Sequence, residues 1–212
     1  EVLLDALPSL LEAEPGAVVV FVDHPHPDET PLSGAARVRR IAEDRGWLGS
    51  AVRFEPWRPF ERRFELAQVC DVAVVTHRPG LETDLSLRTR LVDLLWLGLP
   101  VIATEGGSMS RVVDEIGAGS TVPAGDAETL AGEIRRWLGD PDRRDSAARA
   151  GRGWASERRW KDTAAPVLEF AAQPWRDPHR NRFSELAPRA SAAEEPLGNR
   201  LRRAIGRWRG GR

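Results

Sequence analysis

Between His77 and Ser108 the chain reads HRPGLETDLSLRTRLVDLLWLGLPVIATEGGS, and this stretch holds most of the side chains suited to an anionic, hydroxyl-rich ligand. Glu82, Asp84 and Asp93 supply carboxylates that accept from hydroxyl groups, and Arg88 supplies a guanidinium able to grip phosphate through two N–H groups. Ser86 stands where a helix cap belongs. The turn Asp84-Leu85-Ser86-Leu87 then presents unpaired backbone N–H groups at a helix start, where the helix dipole also favours negative charge. Asp93 follows Ser86 by seven residues, two helical turns, and is expected on the same face. His77 closes one strand, and Gly106-Gly107 form a glycine loop after the next. For each side chain a plainer role stays open: Ser86 as a cap only, Arg88 in solvent, Asp93 paired with Arg90 or Arg111, and Glu82 and Asp84 on a solvated loop.

Other chemistries find little support. Cys70 is the only cysteine, which excludes an internal disulfide, and with four scattered histidines it excludes the familiar zinc spacings. His24 and His26 are separated by a proline and share no face, so no metal site is expected. Lys161 is the only lysine, and no Gly-Lys-Ser/Thr exists to make a phosphate-binding Walker loop. Asp140-Pro-Asp142 mimics an Asp-x-Asp metal motif but falls at a helix end, where a capping turn is the expectation. No Ser–His–Asp or Cys–His constellation is legible.

The positioning elements follow from periodicity. Apolar residues at helical spacing mark 1–14, with a kink expected at Pro8. AVVVFVDH (17–24), AVRFEPW (51–57), DVAVVTH (71–77), PVIAT (100–104) and GSTVPA (119–124) read as five strands, the first a short β-branched run of the kind buried in parallel sheets. Helices are expected from Ser33 to Arg45, over 59–70, over 86–98 with Ser86 as N-cap and Gly98 as the stop, after Gly107, and from the Asp126 cap to Gly139. A helical stretch, 141–172, follows. Alternating strands and helices predict an α/β fold with a doubly wound parallel sheet, whose ligands gather outside the carboxyl ends of the strands.

The chain has 212 residues, 41% of them hydrophobic, and a net charge of −1. That balance is uneven: residues 171–212 carry ten Arg against four acids, net +6, and residues 1–170 sum to −7. An acidic body argues against nucleic acid as a partner. Residues 1–172 are expected to form the folded domain, 173–196 a linker, and 197–212 a basic amphipathic tail within a helical and partly disordered end. In the tail Leu197, Leu201, Ala204, Ile205 and Trp208 form one stripe flanked by arginines, suited to an anionic membrane surface. The expected location is cytoplasmic, peripheral on the inner membrane face.

Residues 1–172 resemble the C-terminal, donor-binding domain of group 1 (GT4-like) glycosyltransferases of the GT-B fold. The resemblance is carried by VRFEPWRPFERRFELAQVCDVAVV, by DLLWLGLPVIATEGGSMSRVVDEIGAG with its Gly-x-Pro-Val-Ile and Gly-Gly, and by STVPAGDAETLAGEI. It implies a nucleotide-sugar donor. Ser86, Leu87, Arg88, Gly106 and Gly107 would meet the diphosphate, with His77 at diphosphate or sugar; Asp93 would meet the ribose, Glu82 and Asp84 the sugar, and Trp57 and Arg58 the base. It implies no cofactor, no metal, and no catalytic residue in this fragment, since acceptor-side groups lie on another domain. The chain departs from the family at Leu85, where an acid usually stands eight residues before the second acid, here Asp93. The family's first strand, its glycine loop and the acceptor domain are not seen upstream, so the chain is read as part of a longer enzyme. That enzyme is expected to build bacterial cell-surface polysaccharide or glycolipid. The alternatives are a non-catalytic nucleotide-binding or scaffold domain, and a sugar-nucleotide epimerase.

Overall fold

Val101, Ile102, Ala103 and Thr104 are all buried, as a strand covered on both faces must be. In the structure, a computed structural model describing residues 1–23, 34–56, 58–62, 64–176 and 178, they form the fourth of five strands. In chain order the elements are α1 (Val2–Ala13), β1 (Val19–Asp23), α2 (Gly34–Asp44), β2 (Val52–Pro56), β3 (Ala73–Val75), α3 (Leu81–Leu85) and α4 (Thr89–Leu97). β4 (Val101–Thr104), α5 (Ser108–Glu115), β5 (Gly119–Val122), α6 (Ala127–Leu138), α7 (Pro141–Ser156) and α8 (Trp160–Ala172) complete the series.

Every ladder is parallel. β1 pairs with β2 from Val19↔Val52 to Asp23↔Pro56, and β4 lies between β3 and β5, with Val101 opposite both Ala73 and Gly119. No ladder joins β1 to β3 among the described residues, so the expected sheet is present as two hydrogen-bonded pieces. Both pieces contribute to one apolar cluster, in which Val19, Phe21, Val52 and Phe54 accompany Val72, Val74, Ile102 and Val122.

Side chains alternate across β4, and its two faces meet different helices. Ile102 joins Leu4, Leu7 and Leu10 of α1 and Leu130, Ile134 and Trp137 of α6. Val101 and Ala103 join Leu91 and Leu95 of α4 and Met109 and Val113 of α5. Helices on both faces make this the α/β, doubly wound architecture that the alternation predicted. α7 reinforces the second face: a Cβ on Gly151 would stand 3.0 Å from Leu95 O, so glycine permits this close approach.

Capping is as expected at α6, where Asp126 accepts from the Thr129 N–H at 2.9 Å, and Asp140 accepts from the Arg143 N–H at 2.9 Å to open α7. Asp140-Pro-Asp142 is therefore a helix start. Pro8 lies inside a helix that continues to Ala13.

Two expected helices differ. Over 59–70 only single 3-10 turns form, at Phe60–Arg62 and Ala67–Val69. No described residue there is fully buried, so a helical stripe has no core to reward it, and Arg58 and Arg62 instead converge on Glu65. The helix expected over 86–98 begins only at Thr89, because Ser86 is extended (φ −76°, ψ 125°) and a separate short helix, α3, precedes it. Ser33, the 24–33 loop, Trp57, and the linker and tail beyond residue 178 lie outside the described residues.

One polar network is built into the core. Trp137, 1% exposed, donates from Nε1 to Ser120 Oγ at 2.6 Å, and Ser120 donates to Glu133 Oε2 at 2.8 Å. Ser120→Ala should leave the indole N–H without an acceptor and cost about 1–3 kcal/mol in a denaturant titration. A loss below about 0.5 kcal/mol, the range of an ordinary surface change, would show that the network contributes nothing.

Packing divides the chain at Asp162. Unit Glu1–Asp162 holds β1–β5 with α1–α7, and in unit Thr163–Arg212 the described Phe170 and Trp175 rings meet edge to face at 6.1 Å. No helix of the described residues is long and apolar enough to cross a membrane.

Candidate functional site

The carboxyl ends of β3, β4 and β5 are stitched together just past their ladders. The His77 N–H donates to Thr104 Oγ1 at 3.0 Å, and the Glu105 N–H donates to Val122 O at 2.9 Å. These bonds hold the loops after β3 and β4 side by side.

Thr83, 6% exposed on α3, is the hub of the first loop. Its hydroxyl donates to Arg78 O at 2.7 Å and accepts from an Arg88 terminal nitrogen at 2.9 Å. The other terminal nitrogen of Arg88 lies 2.8 Å from His77 Nδ1. Arginine has no acceptor, so Nδ1 accepts and the imidazole carries its proton on Nε2. Burial, reinforced by Arg88, pushes the His77 pKa below the usual histidine value, against the opposing carboxylate of Glu82.

The second loop presses on the first. A Cβ on Gly107 would stand 2.8 Å from Thr83 O, and Gly107 has φ +79°, so only glycine fits both the conformation and the approach. Gly106, at φ +91°, is less confined: a Cβ there would meet Thr83 Cγ2 at 3.7 Å and Asp84 Oδ1 at 3.9 Å. Gly107 is also the N-cap of α5. The first N–H groups of that helix have no partners within it and open beside the loop.

The structure thus brings together His77, Arg88, Gly106 and Gly107, with Asp84 at the edge. Ser86 is a correction. It is not the N-cap of the long helix but the residue ending α3, and its N–H donates to Glu82 O at 2.8 Å. Asp84-Leu85-Ser86-Leu87 therefore presents no helix start. The extended backbone at Ser86 also breaks the two-turn relation to Asp93, so the two do not share a helix face. Arg88 is the N-cap of α4, and the bonds of its guanidinium to His77 and Thr83 hold the chain out of helix there.

Leu87 and Leu85 are exposed. Glu82 and Asp84 lie in α3, solvent-exposed, and Asp93 is exposed on α4 with no ion-pair or hydrogen-bond partner among the described residues; Arg90 and Arg111 do not take it. Arg58, just past β2, donates to Glu65 Oε2 at 2.7 Å, with Glu55 at 3.9 Å.

Two buried side-chain atoms lack a hydrogen-bond partner among the described residues: Arg58 Nε and His77 Nε2. Each belongs to a residue two positions past the end of its strand, β2 and β3 respectively. The residues that sequence reasoning missed are Thr83 and Thr104. A threonine buried at a polar strand end is their signal, but burial is not visible in periodicity. A shallow concavity lined by Leu11, Pro15, Gly16, Trp47 and Ser50 is at the amino ends of β1 and β2 and includes none of these residues.

The family model for glycosyl transferases group 1 matches residues 1–140, more than half of the chain. The chain belongs to that family. Every site residue named above, from Arg58 to Gly107, falls inside the segment that matches the family. No curated protein is significantly similar to it.

Among solved structures, sucrose-phosphate synthase from Thermosynechococcus elongatus superposes with TM-score 0.63 at 22% identity, over 81% of this chain and 42% of that one. HepE from Anabaena, in complex with UDP and glucose, gives 0.63 at 19% identity, over 82% and 44%. The C-terminal domain of the group 1 glycosyl transferase LpcC from Francisella tularensis gives 0.58 at 16%, over 74% and 77%. At these identities the likeness shows the fold, and the chain spans less than half the length of the first two proteins.

Proposed function

We propose that this chain is the donor-binding part of a retaining, GT4-like glycosyltransferase. Its donor is a nucleotide sugar and its acceptor a glycan or lipid-linked sugar, in the assembly of bacterial cell-surface polysaccharide or glycolipid. The observation that carries the reading is the convergence of the loops after β3 and β4, which packs His77, Arg88 and the Gly106-Gly107 start of α5 about Thr83 at the carboxyl ends of the strands. HepE, which shares the fold, was solved with UDP and glucose, and this supports a nucleotide-sugar donor here.

In this reading the α5 N-terminus and the glycine loop take the diphosphate, and Arg88 adds positive field while its two terminal nitrogens brace His77 and Thr83. Asp93 takes the ribose hydroxyls, Glu82 and Asp84 the sugar, and Arg58 and Trp57 the base. Fixed donors aimed at the diphosphate stabilise the charge that develops as the glycosidic bond breaks. The site draws on backbone N–H groups and an arginine, so it needs no metal or cofactor. The acceptor is held by a further domain, and residues 197–212 contact an anionic surface on the cytoplasmic side.

One observation favours a second reading. Leu85, where an acid is usual, is 76% exposed, as a scaffold domain with a decayed site would have it. Calorimetry with UDP, GDP, ADP and dTDP separates the two. The donor reading expects one of these to bind, and Asp93→Ala to weaken it by about tenfold or more, the usual loss for a charged hydrogen bond. No binding by any of the four favours the scaffold.

A further inference from the structure

The charge of the chain changes sign along α7. Residues 1–148 carry 16 Arg against 25 acids, net −9, whereas residues 149–161 carry Arg149, Arg152, Arg158, Arg159 and Lys161 against Glu157 alone, net +4. All five of these cations are exposed. Trp160 stands among them and is 83% exposed, the highest value for a large apolar side chain among the described residues. Arg158 is held beside a second indole: its guanidinium lies 3.8 Å from the centre of the Trp154 ring and donates to Trp154 O at 2.7 Å. A single exposed apolar residue means little, but a tryptophan ringed by cations pairs an apolar body with a positive rim.

Helix contacts fix where this basic stretch lies. A Cβ on Gly151 would meet Leu95 O, and one on Gly98, three residues later, would meet Ala148 O, three residues earlier, so α7 and α4 run antiparallel. The last turn of α7 is therefore level with the first turn of α4, toward the carboxyl ends of the strands, and Leu85 and Leu87 just before α4 are exposed as well.

We propose that residues 149–161 form a docking surface for a bilayer rich in anionic phospholipid, with the Trp160 indole seated among the headgroups and the five cations facing the phosphates. Tryptophan belongs at that depth, and each Lys or Arg near a negative leaflet adds about fivefold in affinity. A bilayer meets this surface and leaves the acidic remainder in solvent, whereas an extended nucleic acid would run on into residues of net −9. The surface is distinct from residues 197–212, and it does not depend on the donor being a nucleotide sugar. Docked this way, the domain turns the carboxyl ends of its strands toward the bilayer.

The test is co-sedimentation of the full 212-residue chain with vesicles of phosphatidylglycerol and phosphatidylcholine in equal parts, against phosphatidylcholine alone. The chain should pellet with the first and not the second, and less so as salt is raised. Arg159→Gln with Lys161→Gln should weaken binding by about 25-fold, two cations at about fivefold each. Trp160→Ser should weaken it by about tenfold. Lys161→Arg and the exposed α2 variant Arg40→Gln should bind as the wild type does. Brominated phosphatidylglycerol should quench a component of the tryptophan emission that is missing in Trp160→Phe, which places the indole in the bilayer directly.

Failure of the wild-type chain to pellet with the anionic vesicles overturns the inference, and capture on duplex DNA in that case assigns the cations to nucleic acid. Binding that survives the Arg159/Lys161 and Trp160 changes but is lost in Trp208→Ser also overturns it, and leaves residues 197–212 as the contact. Equal binding to both vesicles removes the charge argument and overturns it as well. The nucleotide titration is a separate measurement, so none of these outcomes bears on the donor reading.

Discussion

Gly119→Val should separate β5 from β4 and give the largest stability loss of any single change considered. Val101 lies directly opposite Gly119 in the ladder, and a Cβ at Gly119 would stand 1.8 Å from Val101 O and 2.7 Å from Val113 Cγ1. The obstructing atom is backbone in a strand held on both sides, so it cannot swing away as a side-chain tip does. The ladder must open, and with it the contact between α5 and the second apolar cluster. We expect a loss of about 3 kcal/mol or more, since overpacking is compounded by broken backbone bonds in a buried place. A thermal melt should move down by about 6–12 °C, given about 2–4 °C per kcal/mol at this size. A shift under about 2 °C would mean that the strand slides to admit the side chain.

The second large effect is at the glycine loop, and it is on ligand binding. Gly106 and Gly107 both have positive φ, and Gly107, at φ +79° and ψ 159°, stands in a region essentially reserved for glycine, so alanine there carries a backbone cost of about 1–3 kcal/mol. Their surroundings differ. The new methyl meets only ordinary contacts at Gly106 but presses on Thr83 O at 2.8 Å at Gly107. Gly107→Ala should therefore push the loop off α3, displacing the start of α5 from His77 and Arg88. The nucleotide that the wild-type chain binds should weaken by about tenfold more in Gly107→Ala than in Gly106→Ala, a difference of about 1.4 kcal/mol. Calorimetry on both variants reads this directly. Equal affinities would remove the loop contact from the account of the site.

What the sequence made legible was what local pattern encodes. PVIAT announced a buried strand through its apolar run, Asp126 and Asp140 announced capping turns at helix ends, and Gly106-Gly107 announced a glycine loop. The break between α3 and α4 was not legible. Leu87, Leu91, Leu94 and Leu95 keep helical spacing straight through it, while Leu85 and Leu87 are in fact exposed. The cause is tertiary: Arg88 is bonded to His77, eleven residues earlier, and to Thr83. Thr83 and Thr104 were missed for a related reason, since a hydroxyl used across two loops looks like any other threonine along one. The segment 59–70 failed in the opposite sense, because its helical stripe is only half covered, with Phe64 against Trp96 at 5.9 Å.

The two separate ladders have a consequence for how such a domain tolerates change. Hydrogen-bonded neighbours can slide only in whole-residue steps, because each rung fits one partner. Side-chain packing, which alone relates β1 and β2 to β3 among the described residues, has no such teeth and yields by fractions of an ångström as residue volumes alter. Arg58 rides on one piece, and His77 with Arg88 on the other. The separation between the Arg58 strand end and the His77 strand end is thus a continuous variable, adjustable by trading one apolar side chain for another at Phe21, Phe54, Val72 or Val74. A fold built this way can be refitted to ligands of different span without rewriting any strand register.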